Sequence, residues 1–332
     1  MSINVLISGA GGDVGQGVAK CLEASTLEVK LFLTCIRKDS SWLHKGHTGF
    51  IAPLSASKDY VPFLIRLMNK HAIQVFIPTV DSEIAKIARE KERIEAETGA
   101  LVFVDAPASV DICEDKNETA QFLKANGFAA PASAILGTPE AAALRREFGF
   151  PLIAKKRQGQ GNTDVFLIQE DAQLDALFDD QSFMLQEWLD PKGGEFTSGI
   201  YLGDDREVKG ICTFRRKLKG GSTFIAERVV DPTLEEPLEE IARQLGMKYL
   251  NIQSMLREGV LIPFEFNGRF SGTTAMVGRV FNAPEMFIRE RFLGETLDSV
   301  DDTTLFTAMR YYEEVYTAPD EMDQLKARST EI

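Results

Sequence analysis

The sequence predicts an α/β protein that opens with a parallel sheet. In the first 112 residues, short apolar runs rich in Val, Ile, Leu and Phe alternate with segments of helical period. A glycine-rich turn joins the first such run to the first helix. Further along, strands are joined mostly by loops of glycine and basic residues, the pattern of hairpins.

Ile3–Ile7 reads as the first strand, Ser8 to Gly17 as the turn and 18–24 as a helix. A strand at 29–36, a helix at 60–71, a strand at 75–78, a helix at 82–97 and a strand at 101–104 continue the alternation, which ends near Ile112. The glycines invite a dinucleotide site. Their spacing, however, is G-x-G-x-x-x-G, and the second strand ends in Cys35-Ile36-Arg37 with no acid to hold a ribose diol. An NADP-linked reductase could use Arg37, but one of the short-chain type carries Tyr-x-x-x-Lys, which is absent.

After Glu114-Asp115-Lys116, residues 117–126 form a helix closed by Gly127, and a strand follows at 133–136. A helix at 139–148 stops at Gly149, and strands at 151–155 and 165–168 flank Lys156-Arg157-Gln158-Gly159-Gln160-Gly161-Asn162. Lysines at its root supply cations, and Gly159 and Gly161 let backbone N–H groups approach an anion closely. Taken alone, a basic glycine hairpin is more often just a mobile loop. Strands at 184–189 and 195–202 come next. A second basic glycine loop, 217–223, lies between strands at 209–216 and 224–230. A helix at 234–245, a hairpin from Tyr249 to Arg269, and helices at 275–280 and 284–293 complete the order, with a polar tail from Asp320.

That last hairpin carries the chemistry. In a strand of period two, Glu265, Asn267 and Arg269 leave one face while Phe264 and Phe266 leave the other. A three-residue turn centred on Gly259 sets Gln253 opposite Glu265; a two-residue turn shifts the register by one and turns Gln253 away. One carboxylate with two amide oxygens suits a hard cation that completes its shell with water and phosphate. The implied ligand is a metal nucleotide. An ordinary amphipathic strand with a solvated polar face reads the same way.

Of 332 residues, 37 are basic and 50 acidic, a net charge of −13 that disfavours general nucleic-acid or anionic-membrane binding. There is no signal-peptide pattern and no apolar run of transmembrane length, so a cytoplasmic protein is expected. The four cysteines are far apart and suggest neither a disulfide framework nor a zinc site.

The order of these segments resembles the ATP-grasp superfamily, and one synthetase half of the carbamoyl phosphate synthase large subunit in particular. The resemblance implies a Rossmann-like preATP-grasp domain (1–112) followed by a two-subdomain α+β ATP-grasp fold: a lid (113–185), a metal-bearing subdomain (186–310) and a tail (311–332). It implies that Lys116 and Lys155 contact ATP phosphates under a lid containing Gly159 and Gly161. Gln186, Glu187, Trp188 and Leu189 are then the adenine hinge and Glu195 the ribose acid. Gln253, Glu265 and Asn267 become ligands of Mg²⁺, with Mn²⁺ as an alternative, and Arg269 supports the transferred phosphate. The activity so implied is carboxylate–amine ligation through an acyl phosphate, on small-molecule carboxylate and amine substrates, in a homodimer. A bicarbonate-activating enzyme like carbamoyl phosphate synthase, an NADP reductase and an inactive nucleotide-binding regulator are the alternatives. Arg215, Arg216, Lys217, Ser222-Thr223 and Ser271 to Thr274 are candidates for holding an acceptor.

Overall fold

A computed structural model describes residues 2–159, 164–177 and 180–332. Gly161 therefore lies outside the described residues. The first layer is a parallel sheet in the order β3-β2-β1-β4-β5, built from β1 (Ile3–Ile7), β2 (Val29–Cys35), β3 (Thr48–Ile51), β4 (Val75–Ile77) and β5 (Leu101–Val102). Helices α1 (Asp13–Glu23), α2 (Tyr60–Lys70) and α3 (Asp81–Thr98) make its crossovers. The first helix starts at Asp13, earlier than the sequence suggests, and takes in Gly15, which serves close packing rather than a turn. A Cβ on Gly15 would sit 2.6 Å from the Gly9 carbonyl oxygen.

Helices α4 (Pro107–Glu114) and α5 (Lys116–Ala125) lead into a second, four-stranded sheet in the order β6-β9-β7-β8. It comprises β6 (Ser133–Ile135), β7 (Leu152–Lys156), β8 (Val165–Ile168) and β9 (Phe183–Glu187), with α6 (Pro139–Phe148) and the short α7 (Asp171–Asp175) beside it. The third sheet has six strands in the order β14-β13-β10-β11-β12-β15: β10 (Glu195–Leu202), β11 (Val208–Lys219), β12 (Ser222–Val229), β13 (Tyr249–Arg257), β14 (Val260–Asn267) and β15 (Thr307–Met309). Helix α8 (Pro232–Leu245) packs on it, and α9 (Thr274–Val277) and α10 (Ala283–Phe287) pack against α1.

The apolar cores show what is joined to what. Phe32, Leu64 and Phe76 share one core with Leu238 and Phe266, while Val5, Ile7 and Leu33 share another with Tyr249 and Phe270. The first and third sheets are thus bonded by continuous hydrophobic burial. The four-stranded sheet keeps a small core of its own around Leu144, Leu152, Ala154 and Leu185.

The polar tail is not peripheral. Helix α11 (Pro319–Thr330) lies on β3, burying Leu325, and its Ser329 hydroxyl oxygen accepts from the Ile51 N–H at 2.8 Å. Among the described residues no helix is long and apolar enough to cross a membrane. All four cysteines are free, and Cys21, Cys113 and Cys212 are buried.

Candidate active site

The β13–β14 hairpin departs from the sequence expectation in a way that leaves its chemistry in place. Its turn has two residues, Glu258 and Gly259, both at positive φ (51° and 81°), and Arg257 pairs with Val260. Such a turn alone would set Gln253 opposite Phe264. A β-bulge between Gln253 and Ser254 takes up the extra residue: Ser254 pairs with Pro263, but Gln253 pairs with Glu265 and Asn251 with Asn267. The bulge suits an edge strand holding a proline, which has no N–H to give the ladder.

The polar face of this hairpin forms one wall of a cleft of about 280 Å³. Gln253, Glu265, Asn267 and Arg269 line it, together with Lys116 and Gly159 from the four-stranded side. Gln186, Glu187, Trp188 and Leu189 do not. Gln186 is buried and donates to the Ser133 hydroxyl (3.0 Å), and Glu187 accepts from Arg257 and from the Ala132 N–H (3.2 Å). Glu195 reaches the cleft only through Arg216, which it holds as an ion pair.

The cations fall into two kinds. Arg269 is paired with Asp81 and also donates to the Phe270 carbonyl. Arg216 bridges Glu195 and the Gln253 side-chain oxygen (2.7 Å). The two lysines have no such partner among the described residues. Lys116, 9% exposed, donates to the Gly159 carbonyl (3.1 Å), and Lys155, 4% exposed, donates to the Phe264 carbonyl (3.2 Å). That acceptor is the residue the bulge inserts. Burial lowers the Lys155 pKa to about 8; neighbouring Glu265 raises it and Lys116 lowers it further. A buried ammonium without a carboxylate within ion-pair reach is costly on its own and is relieved by an anionic ligand.

The other root cations do different work. Arg157 is held by Asp115 (2.7 Å), which also caps α5, and Lys156 faces Asp164 (3.5 Å). The acceptor candidates divide by strand alternation: Arg216, Ser222, Thr223, Ser271 and Thr273 line the cleft, whereas Arg215 and Lys217 do not.

The oxygen donors of the hairpin face fit a divalent cation. Glu265 is in no ion pair among the described residues, and Asn267 donates its amide N–H to the Asn251 oxygen (3.5 Å), leaving its own oxygen unused. Gln253 oxygen is shared with Arg216. Hard oxygen donors with a single carboxylate fit Mg²⁺ that is also bound by phosphate; no three His, Cys, Asp or Glu side chains cluster among the described residues, so a metal held by protein alone is not built here.

Asp13, Val14 and Asp81 carry no sequence signal for the site, and Glu114 carries one only as part of a motif. All four line the cleft. Asp13 and Val14 open α1, and Asp13 is paired with Arg310, which also donates to the Gly272 carbonyl. Burial, and then Asp81, raise the Glu114 pKa to about 7, against Arg269 and Lys116, which lower it.

A parallel sheet fused by its core to a six-stranded antiparallel sheet, with a separately cored four-stranded layer over the cleft, is the ATP-grasp fold. Within that class the chain is similar to carbamoyl phosphate synthase large chains. It is 25% identical over 203 residues to the arginine-specific large chain of Bacillus subtilis, covering 56% of this chain and 19% of that one. To the large chain of Rubrobacter xylanophilus it is 21% identical over 230 residues, covering 64% and 21%. The chain thus spans about a fifth of the length of the curated relatives it matches. Among solved structures it is similar to N5-carboxyaminoimidazole synthetase from Staphylococcus aureus complexed with ADP, with TM-score 0.74, 13% identity and coverage of 93% and 82%. It is also similar to biotin carboxylase from Campylobacter jejuni in a β,γ-ATP complex, with TM-score 0.68, 14% identity and coverage of 89% and 72%. No family model matches the chain.

Proposed function

We propose that the chain is an ATP- and Mg²⁺-dependent ligase that phosphorylates a carboxylate and passes the acyl group to an amine, releasing ADP and phosphate. The observation that carries this reading is the pair of buried lysines that hold no ion pair among the described residues: Lys116 lines the cleft with the oxygen donors of Glu265, Asn267 and Gln253, and Lys155, outside that lining, is a charged neighbour of Glu265 and Lys116. On this reading Lys116 and Lys155 hold the phosphates of ATP. Arg269, oriented by Asp81, meets the charge that develops on the transferred phosphoryl group. Mg²⁺ held by Glu265 and Asn267, with Gln253, supplies further neutralisation of phosphate charge. The backbone around Gly159 closes over the polyanion, and the separate core of the four-stranded layer lets it move as a body to exclude water from an acyl phosphate. Gln186 to Leu189 and Glu195 are proposed as the nucleoside side of the site, Glu195 exchanging Arg216 for the ribose.

The test is ADP formation with a panel of carboxylic acids and amines, with and without Mg²⁺. Glu265→Ala is expected to abolish the Mg²⁺-dependent rate; undiminished turnover contradicts the metal assignment. A second reading, favoured by the carbamoyl phosphate synthase matches, is activation of bicarbonate. Phosphate release with bicarbonate as the sole acid supports it.

A further inference from the structure

We propose that Glu114 is the catalytic base that takes a proton from the amine acceptor, a role that rests on the ligase reading above. Four carboxylates line the cleft: Asp13, Asp81, Glu114 and Glu265. Asp13 is committed to Arg310 and Asp81 to Arg269, while Glu265 stands across from the Gln253 amide, on the face assigned to the metal. Glu114 is left over. It is half-buried at the end of α4, and among the described residues it holds no cation and accepts no hydrogen bond.

A partly desolvated carboxylate that lines the cleft and has no protein donor is open to an N–H group of a bound amine. The charged groups facing it are Asp81 at the start of α3, Asp111 one turn back on α4, Lys116 at the start of α5 and Arg269 beyond β14. Two of these are acids and two are bases, so the surroundings neither fix the carboxylate as an anion nor forbid its protonation. Its pKa of about 7 suits a group that must accept and then release a proton at neutral pH.

An acceptor ammonium, R–NH₃⁺, gives one proton to a Glu114 carboxylate oxygen and becomes a free amine. The nitrogen lone pair attacks the acyl carbon, forming the C–N bond. The acyl C–O bond to phosphate breaks, phosphate leaves with the electron pair, and it takes the second proton from nitrogen. Glu114 then returns its proton to water. Lys116 and Arg269, already beside Glu114, face the departing phosphate. The acceptor is therefore a small molecule bearing a basic amine, or ammonia itself.

The test compares two nitrogen nucleophiles on the full chain with Mg-ATP and a fixed panel of acids that includes bicarbonate. Ammonium chloride needs deprotonation at pH 7, whereas hydroxylamine is already neutral there. Glu114→Gln is expected to lower kcat with ammonium by about 100-fold and with hydroxylamine by less than about 3-fold, in line with what a positioned base supplies. The wild-type rate with ammonium is expected to rise with pH up to about 7 and then level off, whereas the variant, dependent on the free-ammonia fraction, is expected to keep rising above about 7. Glu114→Asp is expected to restore part of the ammonium rate. Equal loss with both nucleophiles, or no loss with either, overturns the assignment. Absence of ADP formation by the wild type with every acid and both nucleophiles overturns the ligase reading itself. A Mg-ATP thermal shift retained by Glu114→Gln shows that the variant is folded and binds nucleotide.

Discussion

Replacing Lys155 with methionine is expected to make the ligand-free protein more stable and the nucleotide-bound protein less so. Lys155 is 4% exposed and its pKa falls from 10.5 to about 8, burial being the main cause. That difference corresponds to about 3 kcal/mol against carrying the charge at neutral pH. Methionine keeps the apolar stem and removes the ammonium, at the loss of the hydrogen bond to the Phe264 carbonyl, about 1 kcal/mol. The net expectation is a gain of about 2 kcal/mol in the absence of ligand. The pH dependence gives an independent check. The folded-state pKa lies below the unfolded one, so between about 8 and 10.5 the unfolded chain binds more protons, and stability rises with pH across that window. Below about 8 the cost is fully present. Lys155→Met abolishes this rise. In the presence of Mg-ATP the wild type gains stability by mass action, about 2.7 kcal/mol at a hundredfold excess over Kd, and the variant gains far less. The assay is thermal unfolding from pH 7 to 10, with and without Mg-ATP. A destabilised apo variant, or one with an undiminished Mg-ATP shift, refutes the argument that Lys155 is a charge held ready for an anion.

Three further outcomes follow from the packing. Glu83 is fully buried and accepts from the Ser8 and Tyr60 hydroxyls and from the N–H groups of Thr79 and Val80; Glu83→Ala strands these donors and is expected to cost about 3 kcal/mol or more in chemical denaturation. Glu83→Gln is expected to cost less. Burial raises the Glu83 pKa above its unfolded value, so its contribution falls as pH rises above about 4.5, and the Gln variant should show a flatter pH profile. Gly15→Ala drives a Cβ to 2.6 Å from the Gly9 carbonyl oxygen, so a loss of about 1–3 kcal/mol is expected by the same measurement. Glu258→Asn places a residue better suited to positive φ in the hairpin turn, and a gain of about 0.5 kcal/mol with unchanged ADP formation is expected.

The alternation of apolar runs and helical segments made the parallel sheet legible because each strand there is buried on both faces and reads as a continuous run. β3 was not legible: four residues, Thr48–Ile51, with a glycine among them carry no period. Nor was the seat of α11, which buries one leucine, Leu325, and meets the first sheet otherwise through Ser329. In the cleft, strand period two was enough to put Glu265 and Asn267 on one face, whereas Gln253 joins them only through the bulge. The turn was misjudged because Glu258 is not a residue that favours positive φ, and nothing in the sequence announces a bulge. What joins the layers was out of reach of any local pattern. Lys155 meets the Phe264 carbonyl across 109 positions of chain, and Arg269 meets Asp81 across 188. The inward turn of Arg216 was likewise undetermined, since a long polar strand can present either set of alternate residues until its partners are known.

The inserted residue at Phe264 acts as a mechanical isolator. Upstream of it the hairpin tip follows the geometry its own two loop residues dictate; downstream, the oxygen-bearing positions keep step with β13 regardless. The slack is taken up at one point of an edge strand, where no further strand has to follow it, and the carbonyl displaced there is the one that Lys155 reaches.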